Sequence, residues 1–179
     1  MLALVHKLAA ARIGETYNQY ADSTLRRDRL ADYLERHAHA PILLVGEAAG
    51  YRGARVSGVP FTSERQLTGR GPAEATATIV HRVLRELGLE HDVLLWNVVP
   101  THPGTEASNR APTAAEIRDA QPFLEELARG RHVIAIGRVA ARATGAPYVR
   151  HPSHGGAFAF AEGLLQSAAG ALGAPLFCA

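Results

Sequence analysis

The chain has 179 residues, 47% of them hydrophobic and 20% charged, enough to bury the core of one globular domain and too apolar for a disordered segment. Its formal net charge is only +2, so overall charge assigns no partner, although nearly all the basic residues are arginine, whose planar fork suits phosphate. A single cysteine, Cys178, excludes an intramolecular disulfide and any cysteine-built zinc or iron–sulfur site, and fits a reducing cytoplasm.

"MLALVHKLAAARIG" reads as an N-terminal helix rather than a signal peptide, because His6 and Lys7 interrupt its apolar run and no basic region precedes it. No apolar run approaches the ~20 residues that span a bilayer, so no membrane partner is expected. Residues 24–38 form a charged helix with Leu30 and Leu34 one turn apart, ended by Pro41. "ILLVG" at 42–46 is short and continuously apolar, the pattern of a strand covered on both faces.

From Pro72 to Leu87 the apolar positions Ile79, Val80, Val83, Leu84 and Leu87 recur at helical spacing, with Gly88 just beyond. "DVLLWN" at 92–97 is a second buried strand, and a long loop rich in Pro, Gly, Thr and Asn follows. Thr113 and Glu116 have capping-box spacing and open a helix that Pro122 should kink and Gly130 closes. "HVIAIG" at 132–137 is the third strand, with a short helix to Gly145, and "YVRH" at 148–151 is the fourth, leading through "PSHGG" into a last helix over 158–172. This alternation predicts a parallel sheet with helices on both faces.

Ligands of open parallel sheets bind beyond the carboxyl ends of the strands. Gly46 and Glu47 follow the first strand, Asn97 closes the second and His151 closes the fourth, so these residues should converge on one crevice. With Phe61 they would make a pocket for something flat that both donates and accepts hydrogen bonds, as a nucleobase does, because an asparagine amide can answer both on one edge. Each has an ordinary alternative. Glu47 could cap a turn, Phe61 could be core, Asn97 could bond nearby backbone and His151 could be structural.

"GEAAG" at 46–50 resembles the first active-site motif of the uracil-DNA glycosylase superfamily, and "HPS" at 151–153 resembles its second. Between them "SGVPFTSE" resembles the phenylalanine-bearing pocket loop, and "NVVPTHPGTEASNRAPTAAE" the stretch after the asparagine strand in the cluster-containing thermophilic branch. The likeness runs from Ile42 to Phe158, in order. It implies a three-layer α/β/α sandwich around a four-stranded parallel sheet, spanning residues 1–179 as a single domain.

Two departures stand out. Thr101 occupies the place of a cluster cysteine, so no iron–sulfur cluster is expected, nor any other cofactor or metal. Ala48, Ala49 and Gly50 replace the aspartate, proline and tyrosine of related first motifs, which leaves Glu47 or Glu64 as the catalytic acid. Gly50 removes a tyrosine that excludes thymine, and Tyr51 could restore that barrier.

The activity implied is hydrolysis of the N-glycosidic bond of uracil, or of related deaminated bases, in single- or double-stranded DNA, releasing free uracil and leaving an abasic site. The base would be flipped into a pocket lined by Gly46, Ala48, Gly50, Tyr51, Phe61 and Asn97, with His151 donating to the leaving base. Arg52, Arg55, Ser153 and the backbone of His154 and Gly155 would hold phosphates, and His154 or Phe158 would act as a wedge. A monomer is expected. The alternative is an inactive homologue that binds damaged or abasic DNA. His37 with His39 lies at the end of a charged helix and His151 with His154 has no nearby carboxylate partner, so neither pair reads as a metal site, and no Gly-x-Ser-x-Gly elbow or Gly-Lys-Ser/Thr phosphate loop occurs.

Overall fold

The computed structural model describes residues 1–172, so Cys178 lies outside the described residues. Helices α1 (Leu2–Ala10) and α2 (Thr24–Arg36) precede strand β1 (Ile42–Ala48), and two short helices, α3 (Ala54–Ser57) and α4 (Glu64–Thr68), follow it. Then come α5 (Ala75–Glu86), β2 (Val93–Val99), α6 (Ala114–Ala128), β3 (His132–Ile136), α7 (Gly137–Thr144), β4 (Tyr148–Val149) and α8 (Ala157–Leu172). The four strands are parallel in the order β2-β1-β3-β4 within a three-layer α/β/α sandwich.

Every residue of β2 and the first five of β1 are buried, which is why these strands read as unbroken apolar runs. Trp96, Leu43, Leu44, Val45 and Ile134 are among the fully buried side chains, each typically contributing about 1.5–3 kcal/mol of apolar burial. The chain leaves β1 to one side for β2 and returns past it to β3. Strand order therefore reverses beside β1, and the crevice belongs at its carboxyl end.

Several boundaries differ from the sequence expectation. β1 and β2 run two residues further, because Ala48 still pairs with Val99; Glu47 is thus inside the last turn of the pleat, and Asn97 lies within its strand, opposite Gly46. β4 has only two residues, so His151 stands beyond the strand rather than in it. Helices α3 and α4 have no counterpart in the sequence reading, since four or five residues are too few to show a period. The one local sign of α4 is Ser63 with Gln66, whose side-chain oxygen accepts the Ser63 N–H at 2.8 Å.

At α6 the capping box forms as expected: Thr113 N–H donates to Glu116 Oε2 at 2.8 Å and Glu116 N–H to Thr113 Oγ1 at 3.2 Å. Pro122 lies inside this helix, removing one backbone donor. None of the described helices is long and apolar enough to cross a membrane.

Because β2 is an edge strand, its outer backbone groups need partners from elsewhere. Tyr33 of α2 supplies one: the Leu95 N–H donates to the buried Tyr33 hydroxyl at 2.7 Å. Tyr33→Phe strands that N–H and is expected to cost about 1–3 kcal/mol, roughly 2–4 °C of melting temperature per kcal/mol at this length. Calorimetry would check it, and an unchanged melting temperature would contradict it.

Candidate active site

The site is built outward from Gly46. A Cβ built there would lie 2.1 Å from Phe61 Cζ, so only glycine leaves room for the ring to rest on the strand backbone. Phe61 reaches this place through a tight turn. Thr62 N–H donates to Val59 O at 3.2 Å, Pro60 takes the first corner position, and Phe61 takes the second with φ of 52°, where a non-glycine residue is strained. Ser57 locks the turn, accepting from Val59 N–H at 3.0 Å and donating to Thr62 O at 2.6 Å.

Beside that ring lies a cavity of about 220 Å3 lined by Glu47, Ala48, Ala49, Gly50, Ala54, Phe61, Glu74, Thr76, Asn97, Pro103, Asn109, Arg110 and His151. It is smaller than the ~300–1,000 Å3 of sites for drug-sized ligands, a size suited to a small ring. The cavity gathers Glu47, Phe61, Asn97 and His151, together with Ala48 and Gly50. Asn97 is 4% exposed, yet its amide bonds to no described residue, so the backbone-capping alternative does not apply.

Glu47 is half-buried, and burial pushes its carboxyl above the ordinary value of 4.5. His151 is lowered from 6.5, first by burial and then by the nearby His154. Ser153 N–H donates to His151 Nδ1 at 3.2 Å, which places the proton of the neutral ring on Nε2. The Ser153 hydroxyl lies 2.8 Å from that same Nδ1 and 3.0 Å from His154 Nδ1, so its contacts are with the two histidines. Gly156 permits the bend, since a Cβ there would lie 2.3 Å from His151 O.

Other expected site residues stand elsewhere. The Glu64 carboxylate is held by Arg29 through bonds of 2.8 and 3.0 Å and does not line the cavity. Tyr51 and Arg52 are also outside the lining, with the Arg52 guanidinium stacked 5.3 Å from the Tyr51 ring. Arg55 pairs with the exposed Glu106 at 2.8 Å and lies 5.0 Å over Tyr17. His154 and Gly155 take left-handed conformations, with φ of 51° and 74°, and Phe158 is 74% exposed at the start of α8.

Glu74, Thr76, Pro103, Asn109 and Arg110 were not singled out from sequence. Glu74 is the N-cap residue of α5 and has no motif around it. Burial raises its carboxyl above 4.5. Asn109 and Arg110 belong to the loop 100–113, which is tied down by polar contacts. Asn109 Oδ1 accepts the Tyr51 N–H at 2.9 Å, and the buried His102 ring spans Ala49 O at 2.7 Å and Thr105 O at 2.8 Å. Arg110 Nη1 donates to Glu116 at 2.8 Å, an interaction that holds this carboxyl down at about 2. Thr101 is fully buried, its hydroxyl 2.6 Å from that of Thr16. Among the described residues no group of three or more His, Cys, Asp or Glu could hold a metal ion.

The crystal structure of wild-type SMUG2 from Pedobacter heparinus superposes with a TM-score of 0.66 at 11% identity, covering 96% of this chain and 99% of that one; the likeness is one of fold. No curated protein sequence matches the chain. A family model described as "Uracil DNA glycosylase superfamily" matches residues 34–168, a span that begins in α2, ends in α8 and contains β1, Phe61, β2 and His151. With its sheet, its motif order and this match in agreement, the chain belongs to the uracil-DNA glycosylase superfamily.

Proposed function

We propose that this protein excises uracil from DNA by hydrolysing its N-glycosidic bond. The observation that carries the proposal is the carboxamide of Asn97, a residue only 4% exposed, which bonds to no described residue and stands at the wall of a small cavity beside the Phe61 ring. The amide's polar atoms are open to the cavity, and a ring carrying a donor next to an acceptor would bond to both. Uracil presents that pair, whereas cytosine inverts part of it and leaves the amide unmatched.

In the proposed reaction the flipped uracil stacks on Phe61 and bonds to Asn97. As the glycosidic bond breaks, the electron pair leaves with the base and positive charge develops on the sugar. His151 Nε2–H donates to the oxygen that gains charge on the base. A donor of this kind is typically worth ~3 kcal/mol in a site shielded from water. The ionised Glu47 stabilises the cationic sugar and orients the water that attacks it. Glu64 is assigned no chemical step, because Arg29 occupies its carboxylate. Ser153 acts through His151, fixing the tautomer.

A groove next to the cavity shares Glu47 and His151 and is also lined by Arg138, Tyr148, Arg150, Ser153 and His154. Arg138 and Arg150 are exposed, and this groove, rather than the paired Arg55, is the proposed path of the DNA backbone. His154, which lines this groove, and the exposed Phe158 are the wedge candidates.

Single-stranded and duplex oligonucleotides bearing one uracil, treated with alkali after incubation, would be cut at the uracil site. His151→Ala should slow excision by about 10²–10³-fold and Glu47→Ala by ~10²-fold or more. Binding to abasic DNA with no excision of any deaminated base would favour a binding module instead. The rate should fall on acidification, because Glu47 must be ionised and His151 neutral. Burial raises the Glu47 carboxyl from its ordinary 4.5 and lowers His151 from 6.5, so excision should increase with pH along the acid limb of the pH–rate profile; a rate that increases on acidification would contradict the assignment. Removing Arg138 or Arg150 should lower the salt dependence of binding to unmodified single strands, each lost phosphate contact reducing the slope by about 0.7, measured by fluorescence anisotropy.

A further inference from the structure

The first motif contains two glycines, and each leaves room for a side chain from a distant segment. At Gly46 the guest is Phe61. At Gly50 it is Glu74: a Cβ built on Gly50 would lie 2.1 Å from Glu74 Oε1, and one built on Gly53 would lie 2.1 Å from Glu74 Oε2. The carboxylate thus rests on bare backbone at two points and faces the cavity that Phe61 and Asn97 also line. Neither of its oxygens bonds to a described residue. A partly buried carboxyl without protein donors depends for its hydrogen bonds on the water or ligand that the cavity holds.

We propose that Glu74 is a specificity-determining residue, forming the wall of the base cavity at Gly50 and excluding bases larger than an unsubstituted pyrimidine. This rests on the base-excision reading of the same cavity. The exclusion has two physical sources. The carboxylate occupies the volume that glycine leaves open, so a methyl group or second ring directed at this wall meets atoms rather than space. An apolar substituent placed there would also strip the carboxylate of water while offering no hydrogen bond in return. Discrimination by a single methyl against a shaped wall is ordinarily about 10–200-fold.

The test compares the wild-type protein with Glu74→Ala, which opens the wall, and Glu74→Gln, which keeps its volume. Each is given single-stranded oligonucleotides bearing one uracil, thymine, 5-hydroxymethyluracil or hypoxanthine. Excision and, separately, equilibrium binding are measured, with melting curves to verify folding. Glu74→Ala should raise the ratio of at least one larger base to uracil by about 10-fold or more, while Glu74→Gln should keep most of the wild-type discrimination. Ratios in Glu74→Ala that equal the wild-type ones for all three larger bases would overturn the proposal, even with uracil excised normally. A wild-type protein that excises nothing would instead overturn the activity, and the binding ratios would then decide the role of Glu74 by the same criteria.

Discussion

The contact between the Phe61 ring and the bare backbone of Gly46 is the constraint on which the site depends. Gly46 sits in the central part of β1, hydrogen-bonded into the sheet with Asn97 directly across on β2. Resting the ring on that point sets its height and tilt relative to the asparagine amide. The left-handed φ of Phe61 and the hydroxyl of Ser57 that closes its turn follow from the need to bring a large side chain to a strand that has no room for its own. Strain of this kind persists only where the surroundings over-determine it. Here a packed sheet on one side and a three-point turn on the other do so.

Around this fixed centre the chemistry is distributed by topology. Reversal of strand order beside β1 opens a crevice at its carboxyl end, and β1, β2 and the segment after β4 each bring one polar residue to it. Burial then tunes what arrives. It raises Glu47 and lowers His151, bringing the two toward each other in titration. Ser153 determines which ring nitrogen carries the proton. None of this requires a large net charge on the protein.

Much of the fold was legible because β1 and β2 are buried on both faces and α5 and α6 carry clear helical periods. Six residues of the cavity, Glu47, Ala48, Gly50, Phe61, Asn97 and His151, could be named from strand ends and motif order. The short elements were not legible, since α3 and α4 span less than two turns and β4 only two residues. Glu64 looked equivalent to Glu47 because sequence distance says nothing about ion pairing; Arg29, 35 positions away, holds the Glu64 carboxylate, whereas Glu47 lines the cavity. Glu74 was invisible for the opposite reason. Its place is dictated by the absence of side chains at Gly50 and Gly53, and an absence in one segment does not announce which residue of another will fill it.

The two sides of the cavity differ in how they are held. One side is sheet, with every β2 residue buried; the other is the loop 100–113, mostly exposed beyond Pro103 and secured by His102, Asn109 and the Arg110–Glu116 pair rather than by apolar packing. Opening free energies within one protein range from nearly zero to the full global value, and segments with little buried apolar contact lie at the low end. The cavity is therefore hinged in an energetic sense. Opening the loop side costs less than opening the sheet side, so sub-global fluctuation falls on the loop and leaves the strands undisturbed.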